Sequence, residues 1–157
     1  MLNNVKNELS LFSKYVIQQS RTNLTKGKKN VSKELYNSLD YDLNVSPNSF
    51  SLSFLMEEYG MFQDKGVKGK NSSAKAPNSP YKFGSGTGRK GGLTESINKW
   101  VRARRFQFRD KKSGRFMSYD STAFLISRSI YNKGIEASLF FTKPFERAFK
   151  RLDADII

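Results

Sequence analysis

Residues 39–54 read LDYDLNVSPNSFSLSF, and this stretch decides the fold. Leu39, Tyr41, Leu43 and Val45 alternate with polar residues, and so do Phe50, Leu52 and Phe54. Period two places these side chains on one face of a pleated ribbon. Ser46-Pro47-Asn48-Ser49 separates the two runs as a turn. The expected element is an antiparallel hairpin with one buried face.

Upstream, Leu2, Val5, Leu9, Phe12 and Val16 are spaced by three and four, which draws one apolar stripe along a helix. The stripe is expected to pack on the core, with contact to a neighbouring subunit as the other reading. The Ser/Asn/Lys-rich residues 22–30 are expected to end this helix. Downstream, residues 57–62 read as a short helical turn. Leu93, Ile97, Trp100 and Val101 mark a second helix with Thr94 as its N-cap. Phe106-Gln107-Phe108-Arg109 and Arg115-Phe116-Met117 flank Asp110-Lys111-Lys112-Ser113-Gly114 as a short hairpin or loop. Asp120 or Ser121 is expected to cap a third helix through Tyr131, apolar at Phe124, Leu125, Ile130 and Tyr131, with Gly134 as its C′ residue. After the apolar run Leu139-Phe140-Phe141, Thr142 is expected to cap a last helix. Pro144 is tolerated in its first turn, and Phe145, Phe149 and Leu152 form its stripe. Helix, hairpin, long loop and then mostly helices give an α+β fold, expected as a single domain over residues 1–157.

Residues 65–94 break the pattern. They carry seven Gly, two Pro, seven Lys or Arg and no acid. Such a stretch is expected to be an extended, flexible loop or arm, sensitive to protease in the free protein. Its run Gly84-Ser85-Gly86-Thr87-Gly88-Arg89-Lys90-Gly91-Gly92 looks superficially like a phosphate cradle. It lacks a Gly-Lys-Ser/Thr ending and no apolar strand precedes it, so no nucleotide cofactor is expected.

Composition excludes whole classes of chemistry. The 157 residues contain no Cys and no His, which removes disulfides, zinc and iron–sulfur sites, and every nucleophile system built on histidine. Glu57, Glu58, Asp64 and Lys65 do not form the strand-borne Asp and Glu-x-Lys of a magnesium nuclease, so no metal or catalytic residue is assigned and no enzyme is expected. No secretory leader or membrane-length apolar run is visible, so a soluble product made in the cytoplasm is expected. The 28 Lys and Arg exceed the 14 Asp and Glu by 14. Residues 1–64 balance seven bases against seven acids, while residues 65–151 carry twenty-one bases against five. A basic half of this kind favours a polyanion or an acidic neighbour.

The densest basic stretch is Arg102, Arg104, Arg105, Arg109, Lys111, Lys112 and Arg115, against Asp110 alone. Arginines there suit phosphate or carboxylate partners. Phe106 and Phe108 within the cluster alternate with Gln107 and Arg109, and are expected to be buried on a half-exposed strand.

Three stretches together resemble the tail-completion, or head–tail connector, type of tailed-phage neck protein. They are Lys33-Glu34-Leu35-Tyr36-Asn37-Ser38-Leu39 leading into the hairpin, Glu58-Tyr59-Gly60-Met61-Phe62-Gln63-Asp64-Lys65-Gly66-Val67, and Gly134-Ile135-Glu136-Ala137-Ser138-Leu139-Phe140-Phe141 with Pro144-Phe145. Tyr59, Asp64 and Gly66 match the motif that follows the family's hairpin, and Phe140 and Phe141 match its late aromatic segment. The chain departs from the family in carrying Asp64-Lys65-Gly66 where acid–Gly–Thr is commoner. The basic loop and the Trp100 to Met117 region look like an elaboration found in short-tailed phages with stacked neck rings, crAss-like phages included. The resemblance implies a virion protein without enzymatic activity. It would form a homo-oligomeric ring between portal and tail, touch the portal and other neck or tail proteins, and let double-stranded DNA pass through its lumen. It also implies structural roles for Tyr59, with ring buried and hydroxyl paired, and for Gly66, with positive φ. The alternative is a free basic nucleic-acid-binding accessory or regulatory protein.

Overall fold

In the computed structural model, residues 2–27, 33–86 and 90–152 are described. The fold is α+β. Its first helix, α1 (Leu2–Lys26), buries Leu9, Phe12, Val16, Ile17 and Leu24 along one side. Buried Ser13 and Ser20 donate their hydroxyls to the carbonyls of Leu9 and Val16, so neither leaves an unpaired polar group in the core. The helix runs several residues further than its composition suggests. Tertiary partners outweigh the weak local propensity there: Arg21 donates to the carbonyls of Tyr36 and Leu39, and Asn23 to that of Phe140.

A short helix, α2 (Glu34–Ser38), leads into strands β1 (Asp40–Ser46) and β2 (Ser49–Leu55). They pair antiparallel with Tyr41 opposite Phe54, Leu43 opposite Leu52 and Val45 opposite Phe50. This is the expected hairpin, in register about the Pro47-Asn48 turn. Its apolar face is only half-buried, and Phe50 near the tip is exposed. After the hairpin come α3 (Tyr59–Lys65), β3 (Val67–Lys68), α4 (Gly92–Arg104), α5 (Tyr119–Lys133), β4 (Gly134–Ile135) and α6 (Thr142–Phe149).

The chain divides into two compact units where the sequence reading expects one domain: Met1–Asp64 with Ser138–Ile157, and Lys65–Ala137. In the first unit, Ile17, Leu24, Leu35, Leu39 and Phe140 form one buried cluster. Phe12, Val16 and Ala148 form another, closed by Leu52, Phe54, Phe141 and Phe145. Phe54 meets Phe141 and Phe145 edge to face, with centroids 5.1 and 5.9 Å apart, a favoured aromatic arrangement.

In the second unit, β3 and β4 pair antiparallel, Val67 opposite Ile135 and Lys68 opposite Gly134. The expected flexible arm is largely built into this unit. Lys68 exchanges backbone hydrogen bonds with Tyr81 and Phe83, Lys70 N–H donates to the Tyr131 carbonyl, and the buried Ser79 hydroxyl donates to the Gly66 carbonyl. Gly66 and Gly69 permit close backbone packing here, whereas a Cβ at Gly86 would meet nothing within 4 Å. Residues 87–89 of the Gly-rich run lie outside the described residues, as do Asp153 and Asp155.

Helix ends also differ from expectation. α4 starts at Gly92 with Gly91, not Thr94, at its N-cap. Ser118 caps α5 by accepting from Ser121 N–H, which puts Asp120 in the first turn; Gly134 ends the helix as expected. Thr142 is inside α6, and its capping acceptor comes from a distant side chain described next.

Candidate functional site

Residues singled out from the sequence fall at two places. The first is the start of α6. Asp64, at the end of α3, is only 1% exposed. Its carboxylate accepts from Phe141 N–H at 3.0 Å, from Thr142 N–H at 2.9 Å, and from the Thr142 hydroxyl. A helix begins with backbone donors that have no partner within it. Here a carboxylate 78 positions earlier satisfies them, and the positive end of the helix favours its charge. The backbone continues the link: Ser138 and Leu139 N–H donate to the carbonyls of Gln63 and Asp64. Asp64, Phe140 and Phe141 therefore come together as one structural joint of the first unit, with Phe140 buried in its core.

Tyr59 and Gly66 take no part in that joint. Tyr59 is 40% exposed, against the expected buried ring. Partial burial, opposed by a backbone hydrogen bond at Leu35 and reinforced by Glu34 and Glu57, raises its phenol above the ordinary value. Gly66 has φ +73°, as expected. A Cβ there would lie 2.6 Å from the Ile135 carbonyl oxygen and 2.7 Å from the Ala137 nitrogen. Its lack of a side chain permits the close approach of two backbones in the second unit.

The second place is the surface formed by the end of α4 and residues 106–117. Arg109 and Phe116 bridge antiparallel, and Met117 N–H donates to the Phe108 carbonyl at 2.7 Å. Asp110 Oδ1 accepts from Lys112 and Ser113 N–H and so shapes the turn. Phe108 N–H donates to the buried Thr122 hydroxyl, which anchors this turn on α5. Lys111, Lys112 and Arg115 are exposed around it, as are Arg104 and Arg105 at the end of α4.

Phe106 and Phe108 are not buried; they are 41% and 37% exposed. They continue a row of rings from Trp100, with centroid separations of 6.1 and 5.3 Å. The alternation of Phe106 and Phe108 with polar residues is real, but of residues 106–109 only Arg109 is bridged, to Phe116, and the stretch belongs to neither described sheet. Trp100 shares the spacing that marks α4, yet it is exposed. Adjacent residues on a helix point about 100° apart, and the buried member of the pair is Val101. Phe116 is likewise exposed, and so are Phe124 and Leu125, against an expected apolar face on α5.

Arg102 is held more tightly than its neighbours. Its guanidinium lies 3.0 Å from Asp120 Oδ1 and 5.3 Å from the Tyr119 ring centroid, and Asn98 bonds to both residues. The Asn98 hydrogen bond, then the Arg102 hydrogen bond and charge, hold the Asp120 carboxyl below its ordinary value. A carboxyl depressed in the folded protein stabilises it above the unfolded carboxyl value, and that contribution is lost as pH falls through the folded value. An NMR titration of Asp120 should therefore show a midpoint below an ordinary aspartate, rising toward the ordinary value in Asn98→Ala, where the Arg102 contribution remains.

Among the described residues no three carboxylates converge on a metal-sized space, and no helix is long and apolar enough to cross a membrane. What the second surface offers chemically is binding: fixed guanidinium and ammonium groups beside partly exposed rings. The chain matches no protein-family model, no curated protein and no solved structure.

Proposed function

We propose that this chain is a structural subunit of a tailed-phage neck, forming a closed ring between portal and tail. The observation that carries the reading is the β1–β2 hairpin. Among the described residues it is a two-stranded sheet with no further strand on either edge, and its tip leaves Phe50 exposed. The hairpin packs on α1 and α6 through Leu52 and Phe54, but its open edges invite pairing. That need is met when copies assemble around a ring. In this reading the joint made by Asp64 holds the late aromatic segment against the hairpin's core, and no residue has a catalytic role. The resemblance in the Tyr59–Gly66 and Phe140–Phe141 motifs supplies the neck location.

The test is electron microscopy of the purified protein and of virions that contain it. Closed rings of one size are expected; a protein that stays monomeric at every concentration overturns the proposal.

A second reading, a free nucleic-acid binder, is favoured by one observation: Lys65–Ala137 carries seventeen Lys and Arg against four Asp and Glu. Salt separates the two. A dedicated binder using several of the cluster's cations should lose affinity with a log–log slope of about −0.9 per phosphate contact, yet retain tight binding at physiological salt. A neck subunit past which the genome slides should bind duplex DNA weakly, without sequence preference, and release it at physiological salt. Nanomolar binding to a defined sequence under those conditions would replace the neck reading with the regulator.

A further inference from the structure

We infer that adjacent copies of this chain join head to tail, with the acidic surface around Tyr59, made by Glu34 and residues 55–61, on one copy docking onto the basic, ring-bearing surface of residues 100–116 on the next. The inference rests on the ring reading above and names the two surfaces that make the contact.

The two surfaces are opposite in charge and alike in exposing apolar groups. Residues 34–64 contain six Asp and Glu and not one Lys or Arg. Apart from buried Asp64, these acids are exposed; Asp40 shares its surface with Lys14, Arg21 and Lys26 of α1, so the acidic contact is made by Glu34, Glu57 and Glu58. Leu55, Tyr59 and Met61 are exposed within seven residues that also hold Glu57 and Glu58. On the other surface, Trp100, Phe106, Phe108 and Phe116 are exposed among seven Lys and Arg. The lone acid within that stretch, Asp110, is engaged by its own turn.

The geometry of the rings favours a protein partner over nucleic acid. Bases stack on free ring faces. Phe106 and Phe108 instead meet edge to face, at 77°. The face of Phe116 carries the Arg109 guanidinium 4.7 Å from its centroid, and that of Tyr119 carries Arg102. Ring edges are electropositive, as are guanidinium N–H groups. Carboxylates and carbonyl oxygens suit such a surface, while neighbouring Leu, Tyr and Met side chains cover the exposed rings. Duplex DNA would neutralise the charge and leave the rings in water. Aromatic and arginine side chains together are also the usual anchors of protein interfaces. A contact between two different patches on identical chains is heterologous, the kind that generates a ring when its rotation closes.

Two charge-reversal variants test this. Glu57→Lys with Glu58→Lys alters the acidic surface, and Lys111→Glu with Lys112→Glu and Arg115→Glu alters the basic one; these side chains are exposed, and circular dichroism checks that each variant is folded. Each set alone should weaken self-association at least about tenfold in sedimentation at low salt, and combining both sets in one chain should restore it. The wild-type protein provides a check that needs no substitution. A carbodiimide should couple Glu57 or Glu58 to Lys111 or Lys112, and in a mixture of isotopically light and heavy protein these links should join light chains to heavy ones.

Rings that persist in both single-surface variants, or absence of the mixed cross-links from assembled wild-type protein, overturn the docking while leaving the ring reading intact. Basic-surface reversal that abolishes duplex DNA binding but spares the rings identifies nucleic acid as the occupant and also overturns it. A wild-type chain that never self-associates overturns the ring reading and the docking together.

Discussion

Asp64→Ala should destabilise the first unit by about 4 kcal/mol, because it leaves two backbone N–H groups and a hydroxyl at the start of α6 without their acceptor. Hydrogen bonds to a carboxylate are stronger than neutral ones, and the site is closed to water that could replace them. Asp64→Asn keeps one carbonyl oxygen in place of Oδ1, which accepts both backbone bonds, and loses the acceptor for the Thr142 hydroxyl. It should cost about 1–2 kcal/mol. Denaturant unfolding followed by near-ultraviolet circular dichroism measures both, since the aromatic cluster of Phe12, Phe54, Phe141 and Phe145 lies in this unit. Equal, small losses from Ala and Asn would show that the carboxylate does not carry the joint.

The second large effect belongs to Gly66. Gly66→Ala combines a backbone conformation that L side chains rarely adopt with a Cβ driven into the backbone at Ile135 and Ala137 and the side chain of Ala76. We expect a loss of about 3 kcal/mol, and more for Gly66→Val, from strain and overpacking together. Gly86→Ala isolates the conformational part. Gly86 has φ +80° with nothing within 4 Å of its would-be Cβ, so its cost should be about 1 kcal/mol. The single tryptophan, Trp100, lies in the same unit as both glycines and reports its unfolding by fluorescence. If Gly66→Ala cost no more than Gly86→Ala, the close backbone approach would not be what requires glycine at position 66.

Sequence by itself determined the elements that carry a strong period. The alternation in residues 39–54 specified the hairpin, its register and its turn, because shifting register by one residue would turn every apolar side chain to the other face. The three–four spacing of Leu9, Phe12 and Val16 specified the buried side of α1, and Gly134 specified the end of α5. Segregation of charge was also legible, since it needs only counting. Three things were decided by tertiary structure, two of them through partners remote in sequence. Asp64 stands out in the sequence only through the family-like motif, and its partner Thr142 is brought beside it by the fold. The Gly-rich residues 65–94 read as a free arm, yet Val67, Lys68, Lys70 and Asn71 among them find backbone partners in Tyr131, Asn132 and the β4 strand. Phe106, Phe108 and Phe124 carry core-like patterns, but a periodic pattern only says which side chains share a face. Whether that face is covered depends on tertiary packing, and all three rings stay exposed.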